Sequence, residues 1–306
     1  METLTVRHPK QEDAQTVCEL VLACDVEDFG QPDFTLEDLL DMWAEFDLEN
    51  NVWVVENGSG TLVGYAFLEV DSDEKLSSYG YVLPSARGTG VGTKLLDAIE
   101  ERAAQLVRDR NQACRLQNVI PTLRDDARLL LSGRGFQPVR YFKRMSIQLN
   151  DAPPIPMIPQ GFTINNFVLN REEQDVYDAY VDAFTDHWDF TPPPFEEWVK
   201  RTRRSGFSPD WWFTARDESG RIAGIALGRM HDDTLFIDQI GVRRPYRGQG
   251  LGLALLQQAF GASFAYGQST VSLGVDSENP SGAVRLYEKA GMQPTFEVTV
   301  CEKQIG

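Results

Sequence analysis

The chain has 306 residues, a formal net charge of −17, 42% hydrophobic residues and 25% charged residues. This composition is typical of globular proteins and suffices for two domains of ordinary size, while the negative charge argues against binding nucleic-acid phosphates. No apolar run could span a membrane, no signal pattern opens the sequence, and the scattered cysteines and histidines lack metal-ligand spacing. We therefore expect a cytoplasmic protein with reduced thiols and without a metal, membrane or nucleic-acid partner.

Predicted elements follow one order in both halves of the chain. The first half, residues 1–150, has strand patterns at 53–56, 62–70 and 79–83 and a helix pattern from 91 to about 107. Residues 151–160 hold four prolines and predict an extended linker. In the second half, residues 161–306, strands are predicted at 162–164, 211–215, 222–230, 235–242, 271–275 and 296–301, and helices near 176–184, 251–266 and 281–290. Each half therefore predicts an α/β fold, a mixed sheet with helices on both faces.

One segment occurs twice. Arg87–Gly92 (RGTGVG) recurs as Arg247–Gly252 (RGQGLG), at an offset of 247 − 87 = 160 residues. Gly135 corresponds to Gly291 at a second offset, 291 − 135 = 156. A constant offset with one small deletion indicates a duplicated domain.

The repeated segment lies between a predicted strand and a predicted helix. Its glycines allow the backbone to approach a ligand, and the free amides of the first helical turn favour an anion such as a pyrophosphate. The spacing fits neither a dinucleotide-binding fingerprint nor a P-loop. A tight strand-to-helix turn is the alternative for a single copy of the segment.

The pattern Arg247-x-x-Gly250-x-Gly252, present twice and followed by Leu286–Gly291 (LYEKAG), resembles the GNAT superfamily of acetyl-CoA-dependent N-acetyltransferases. The resemblance covers nearly the whole chain as two tandem GNAT domains, the arrangement of mycothiol synthase and its uncharacterised relatives. It implies two mostly antiparallel sheets and acetyl-CoA as co-substrate, without a metal.

The resemblance also implies which residues contact the coenzyme. The loop amides would hold the pyrophosphate, the preceding strand edge would pair with pantetheine, and a backbone N–H, that of Ile240, would stabilise the oxyanion. The C-terminal residues assigned to the coenzyme are Ile240, Val242, Arg247, Gly248, Gln249, Gly250, Leu251, Gly252 and Asn279. The N-terminal ones are Val82, Arg87, Gly88, Gly90 and Gly92, for which helix packing on the strand is the alternative.

Catalysis is expected in the C-terminal half. Tyr287 matches the family's tyrosine that protonates the leaving thiolate, although it also lies on a helical apolar stripe typical of core. Asp238, two residues before Ile240 on the same predicted strand face, is one candidate base, and His187 is another. Moved by 156 residues, Tyr287 falls on Leu131, which has no proton to give, so we expect the N-terminal domain to be non-catalytic.

The expected reaction is acetyl transfer to a primary amine of a small molecule or peptide, by direct attack in a ternary complex. A mycothiol-synthase-like acetylation of a cysteinyl amine and a non-catalytic acetyl-CoA sensor are the alternatives. Residues 11–74 contain 18 acidic residues and no Lys or Arg, which indicates either a solvated surface or a field that attracts a cationic acceptor. The basic run at 200–204 is interpreted as a solvated helix face.

Overall fold

The computed structural model describes residues 3–32, 34–204, 206–231, 233–279 and 281–306. It divides into two compact units. Unit 1 comprises Met1–Phe142 and Phe296–Gly306, and unit 2 comprises Lys143–Thr295. Among the described residues, no helix combines the length and apolar character needed to cross a membrane. All four cysteines are buried and free.

Unit 1 is a mixed sheet with helices on both faces. Its elements are β1 Thr5–Arg7, α1 Ala14–Phe29, α2 Leu36–Glu45, α3 Leu48–Asn51, β2 Val52–Glu56, β3 Leu62–Ser72, β4 Lys75–Val82, α4 Val91–Arg110, β5 Cys114–Pro121, α5 Asp125–Gly133 and the start of β6 Gln137–Gln148. The strands β1 to β5 follow one another in the sheet, and only β4 and β5 run parallel. Residues 298–305 of the last strand of the chain pair antiparallel with β5.

Strand β2 shows why both faces of unit 1 are covered. Its first four residues, VWVV, are all apolar, and side chains alternate between the two faces of a strand. Trp53 and Val55 pack in a core cluster with α4 residues, whereas Val52 and Val54 pack in a second cluster with residues of α1 and α2. A strand whose side chains are apolar on both faces requires a helix layer on each side, and the helices α1, α2 and α4 supply these layers.

Unit 2 repeats this order. Its elements are the end of β6, β7 Phe162–Asn166, α6 Glu173–Phe184, α7 Phe195–Trp198, β8 Trp212–Asp217, β9 Ile222–His231, β10 Thr234–Val242, α8 Leu251–Ala265, β11 Thr270–Asp276, α9 Ala283–Lys289 and the start of β12 Gln293–Ile305. The strands β7 to β11 are neighbours in sequence order, and β10 and β11 are the parallel pair. The end of β6 lies beside β11, where the Ser146 and Ser272 hydroxyls bond at 2.7 Å.

Two glycines at the 160-residue offset let the long helix approach the sheet. A Cβ at Gly64 would lie 2.5 Å from Val91 Cγ1 of α4, and one at Gly224 would lie 3.0 Å from Leu255 Cδ1 of α8. Both distances are below ordinary van der Waals contact. The repeat therefore preserves a packing requirement as well as a loop.

The predicted strands and helices of the second half are all present, with ends that differ by a few residues. Residues 151–159 form neither helix nor strand. The compact units differ from the sequence halves 1–150 and 161–306, because the end of β6 is grouped with unit 2 and most of β12 with unit 1. The domain boundaries drawn from the sequence, 1–150 and 161–306, therefore stay a prediction.

Candidate functional site

The strands β10 and β11 separate in the middle of unit 2. Their parallel pairing covers only Thr234–Ile237 against Thr270–Leu273, whereas β10 stays paired with β9 as far as Val242. Residues 239–242 therefore present a strand edge that β11 does not cover, here called the open edge of β10. Unpaired backbone groups on such an edge can pair with an extended ligand. Ile240 and Val242, both predicted coenzyme contacts, lie on this edge.

A β-bulge precedes the open edge. The register with β9 shifts between Ile237 and Gln239, so Asp238 is the extra residue. Its carboxylate accepts a hydrogen bond from Arg229 Nε at 3.2 Å. The expectation that Asp238 shares a face with Ile240 assumed strict alternation, which the bulge interrupts.

The glycine-rich loop continues from the end of β10. Gly248 and Gly250 have φ of +76° and +90°, a region that side chains with a Cβ rarely adopt. Helix α8 begins at Leu251, and no side chain caps its first turn. The first-turn amides of α8 therefore have no side-chain cap, and anion binding by the amides from Gly248 to Gly252 stays a prediction.

Gly252 has a different role from the first two loop glycines. A Cβ there would lie 3.1 Å from Leu286 Cδ2 of α9 and 3.8 Å from Val242 Cγ2. This glycine lets α8, α9 and the end of β10 pack closely. Unit 1 shows the same division, because Gly88 and Gly90 have φ of +78° and +98° while a Cβ at Gly92 would lie 3.2 Å from Leu130.

The arginine of the motif is engaged within the protein. Arg247 donates from Nε to the Val242 carbonyl at 3.0 Å and from Nη1 to Asp186 at 2.9 Å. Asp186 also accepts from Arg244, and the two arginines lower the pKa of its carboxyl. In unit 1, Arg87 donates to the corresponding strand-end carbonyl and to Asp28 at 3.0 Å. Both arginines therefore hold the loop against the strand end. The exposed Gln249 side chain donates to a carbonyl within the same loop.

Tyr287 on α9 is buried, with 5% exposure, among the apolar residues of the unit 2 core. Burial raises the pKa of its hydroxyl well above the usual range. This hydroxyl makes no hydrogen bond to any residue in the described part of the chain. The ring packs in the core, as the apolar stripe predicts, and the catalytic role of the hydroxyl stays a prediction. Leu131 is buried in unit 1.

His187 lies near Arg247 of the glycine-rich loop, and Asn279 lies in the turn before α9. His187 follows α6, whose Ala183 would lie 2.8 Å from a Cβ at Gly241 on the open edge. Burial lowers the pKa of the His187 imidazole, so the neutral form, which can accept a proton, predominates at pH 7. Asn279 Oδ1 accepts from the Ser281 amide at 2.8 Å and shapes the turn before α9.

The two candidate bases lie at different places along β10. Gly241, beside the end of α6, is three residues from Asp238, which is about 10 Å along a strand. The His187 and Phe184 rings lie 4.3 Å apart between centroids in a tilted arrangement, whereas Asp238 is paired with Arg229. The structure therefore does not join them in one acid–base pair.

Asp238 lines a cavity of about 250 Å³ within unit 2, here called the arginine pocket. The residues lining it are Arg201, Arg204, Phe207, Trp212, Gly228, Arg229, Asp238 and Gln239. The sequence did not predict this pocket. The run at 200–204 was interpreted as solvated, and this is correct for Arg203 and Arg204, which are exposed, but not for the half-buried Arg201. The position of Arg201 three residues after Trp198 could have indicated that its side chain is partly buried. Helical spacing alone, however, does not show that Arg201 is more buried than Arg203.

No group of three or more His, Cys, Asp or Glu side chains within the described ranges could hold a metal ion.

The comparisons with known proteins agree with this geometry. A model of the acetyltransferase (GNAT) family matches residues 173–292, and a model of the acetyltransferase (GNAT) domain matches residues 49–138. The mycothiol acetyltransferase of Stackebrandtia nassauensis is 32% identical over 244 residues, which is 78% of each chain. The chain belongs to the GNAT acetyltransferase family. The mycothiol acetyltransferase of Catenulispora acidiphila is 29% identical over 240 residues, 75% of this chain and 73% of that protein.

Two solved structures match over the whole GNAT chain. The GCN5-related N-acetyltransferase of Sphaerobacter thermophilus is 34% identical and has a TM-score of 0.86. The match covers 98% of this chain and 95% of that one. A tandem GNAT protein from the clavulanic acid biosynthesis pathway has a TM-score of 0.73 at 17% identity, with 99% of both chains covered, and shares the fold. The predicted tandem GNAT fold and the predicted N-acetyltransferase class are thus confirmed. GNAT enzymes as a family use acetyl-CoA.

Proposed function

We propose that unit 2 transfers the acetyl group of acetyl-CoA to a primary amine of a small molecule or peptide, by direct attack in a ternary complex. The observation that carries this proposal is the combination, in one unit, of the open edge of β10, an uncapped glycine loop and an unpaired Tyr287 hydroxyl. Each supplies one requirement of the reaction, namely thioester positioning, anion binding and a proton donor.

The coenzyme would lie along the open edge and end at the loop. The amides from Gly248 to Gly252 would hold the pyrophosphate, and Val242 would pair with the pantetheine arm. The backbone N–H of Ile240 would stabilise the oxyanion. Arg247 would act by holding the loop, and Asn279 by shaping the turn before α9. The residues present fit acetyl-CoA, since anion-binding amides and an unpaired strand edge occur side by side.

The proposed step balances as follows. The acceptor ammonium first gives one proton to a base, and the amine nitrogen attacks the thioester carbon. The C–N bond forms as the C–S bond breaks, and the leaving thiolate takes the proton of Tyr287. The second amine proton and the proton held by the base then pass to solvent, which also restores the Tyr287 proton. Asp238 and His187 remain the two candidates for the base.

Unit 1 retains the loop without the acid. Gly88 and Gly90 have the conformation required for a phosphate loop, but the position of Tyr287 is taken by the buried Leu131. We propose that unit 1 is non-catalytic. Coenzyme binding there, through Val82 and the loop from Arg87 to Gly92, is one role, and a scaffold is the other.

Two alternatives concern the acceptor and the activity itself. The relatives named mycothiol acetyltransferase favour a cysteinyl amine as acceptor. A non-catalytic acetyl-CoA sensor is disfavoured, because such a protein has no use for the unpaired Tyr287 hydroxyl.

The test is release of free coenzyme A thiol from acetyl-CoA with a panel of amines that includes cysteinyl compounds. Amine-dependent release, with the acetylated product identified by mass spectrometry, is the expected result. Coenzyme binding without transfer to any amine would favour the sensor.

A further inference from the structure

Arg201 lies in the arginine pocket and forms no direct ion pair with a described carboxylate, although the Asp238 carboxylate in the same lining acts on it at longer range. Its guanidinium carbon lies 5.2 Å from the centre of the Trp198 ring and 5.9 Å from that of Tyr180, and Nε donates to the Trp198 carbonyl at 3.2 Å. No carboxylate among the described residues forms an ion pair with it. The two terminal nitrogens of the guanidinium therefore make no hydrogen bond to the described residues. Together they form a fork that suits a carboxylate.

Gln239 supplies a second polar atom that lacks a partner. The residue is buried, with 8% exposure, and lines the same pocket. Its Oε1 has no hydrogen-bond partner in the described structure. A buried acceptor of this kind is costly unless a ligand or water donates to it. Oε1 can accept only from an N–H or O–H group.

The position of Gln239 relates this atom to the reacting centre. It follows the bulge at Asp238 and directly precedes Ile240 on β10. Gln239 is thus the residue next to the proposed oxyanion donor on the same strand.

The charge and size of the pocket favour a small ligand with an anionic group. Its ionisable lining residues are three arginines and one aspartate, a formal sum of +3 − 1 = +2. Its volume of about 250 Å³ is below the ~300–1,000 Å³ typical of drug-sized ligands. A cationic cavity in a chain of net charge −17 is opposite in sign to the whole protein.

We infer that the acceptor is an amino-acid-like molecule, whose carboxylate binds Arg201 and whose amine is held by Gln239 Oε1 beside the thioester. The inference rests on the proposed function, since it names the acceptor class for that site. The paired Arg229 and Asp238 and the exposed Arg204 complete the rim. A diamine or a neutral amine would leave the Arg201 fork unsatisfied.

The experiment compares L-amino acids with their amides as acceptors, for the full chain and for Arg201→Gln. The amide keeps the amine and loses the negative charge; its amine is also less basic, a difference common to both proteins that cancels when the acid-to-amide ratio of the unmodified chain is compared with that of Arg201→Gln. For the unmodified chain we expect kcat/KM to favour the acid over its amide, and for Arg201→Gln we expect this ratio to fall roughly 10–100-fold. Arg203→Gln, an exposed neighbour on the same turn, is the matched control and should keep the ratio.

Binding measured by calorimetry with coenzyme A present gives a readout that does not require turnover. The acid should bind the unmodified chain more tightly than its amide, and Arg201→Gln should remove the difference. Acetylation of amines with equal preference for acid and amide would overturn the inference and leave the proposed function intact. Failure of every amine to release thiol would instead count against the proposed function, and calorimetry would still decide the carboxylate site. If Arg201→Gln does not fold, the acid–amide comparison on the unmodified chain decides alone.

Discussion

Replacement of Tyr287 by phenylalanine separates catalysis from packing. The ring is buried and Phe keeps it, while the hydroxyl that is removed has no partner among the described residues. The leaving thiolate then has no protein acid, and loss of a general acid lowers kcat by ~10²–10⁴-fold, equivalent to ~2.7–5.4 kcal/mol of barrier.

Stability should change far less than the rate. Without a lost intramolecular hydrogen bond, the free energy of unfolding should change by under ~0.5 kcal/mol, which shifts Tm by about 2 °C or less in a unit of this size. Unfolding cannot imitate the kinetic effect, because a 100-fold loss of activity would need ~99% of the protein unfolded. Burial raises the pKa of Tyr287 above its unfolded value of ~10, so its contribution to stability is present below pH ~10 and is lost as the pH rises further.

The assay is steady-state thiol release at saturating acetyl-CoA, together with thermal melting of each variant. The matched control is Tyr266→Phe, since Tyr266 is exposed at the end of α8 and its hydroxyl donates to Asp210 at 2.9 Å. The control should lose a hydrogen bond and keep its kcat. A Tyr287→Phe enzyme with kcat within threefold of the parent would refute the assigned acid.

Three further predictions concern the loop, the base and the acceptor. Gly250→Asp should remove one acetyl-CoA site in calorimetry, because a negative side chain enters a backbone position with φ of +90°, whereas Gly267→Asp, with φ of +79° and open space at the other end of α8, should not. If His187 is the base, His187→Gln should abolish an acidic limb of kcat/KM below pH ~6.5, because burial lowers the pKa of the imidazole and only its neutral form accepts a proton; a surviving limb assigns the base elsewhere. Raising salt should increase KM for a cationic acceptor attracted by the net charge, since exposed fields are screened within ~10 Å at 0.1 M, and should leave KM flat for a zwitterionic acceptor.

The repeated loop shows which features of this site can be predicted from the sequence. The motif at 247–252 predicted a strand, a loop and a helix in that order, and the backbone at Gly248 and Gly250 has the conformation that only glycine adopts readily. The same motif gave Gly252 and Arg247 a coenzyme role, which stays a prediction; the structure adds that Gly252 packs against Leu286 and that Arg247 holds the loop to Val242. A motif shows that a certain residue type is needed at a position. It does not show whether that residue contacts a ligand or another part of the protein.

By itself, the sequence determined the local elements, the duplication and the loop, because helix and strand periodicity, glycine conformation and a constant offset are properties of nearby residues. Only the tertiary structure decided where β10 separates from β11, that a bulge falls at Asp238, and that Arg201 and Gln239 line one pocket. These features depend on pairing between segments distant in the chain, and one extra residue in a strand changes what its side chains meet. The acetyltransferase class could thus be predicted from a motif, whereas the arginine pocket required the packing of segments that are distant in the chain.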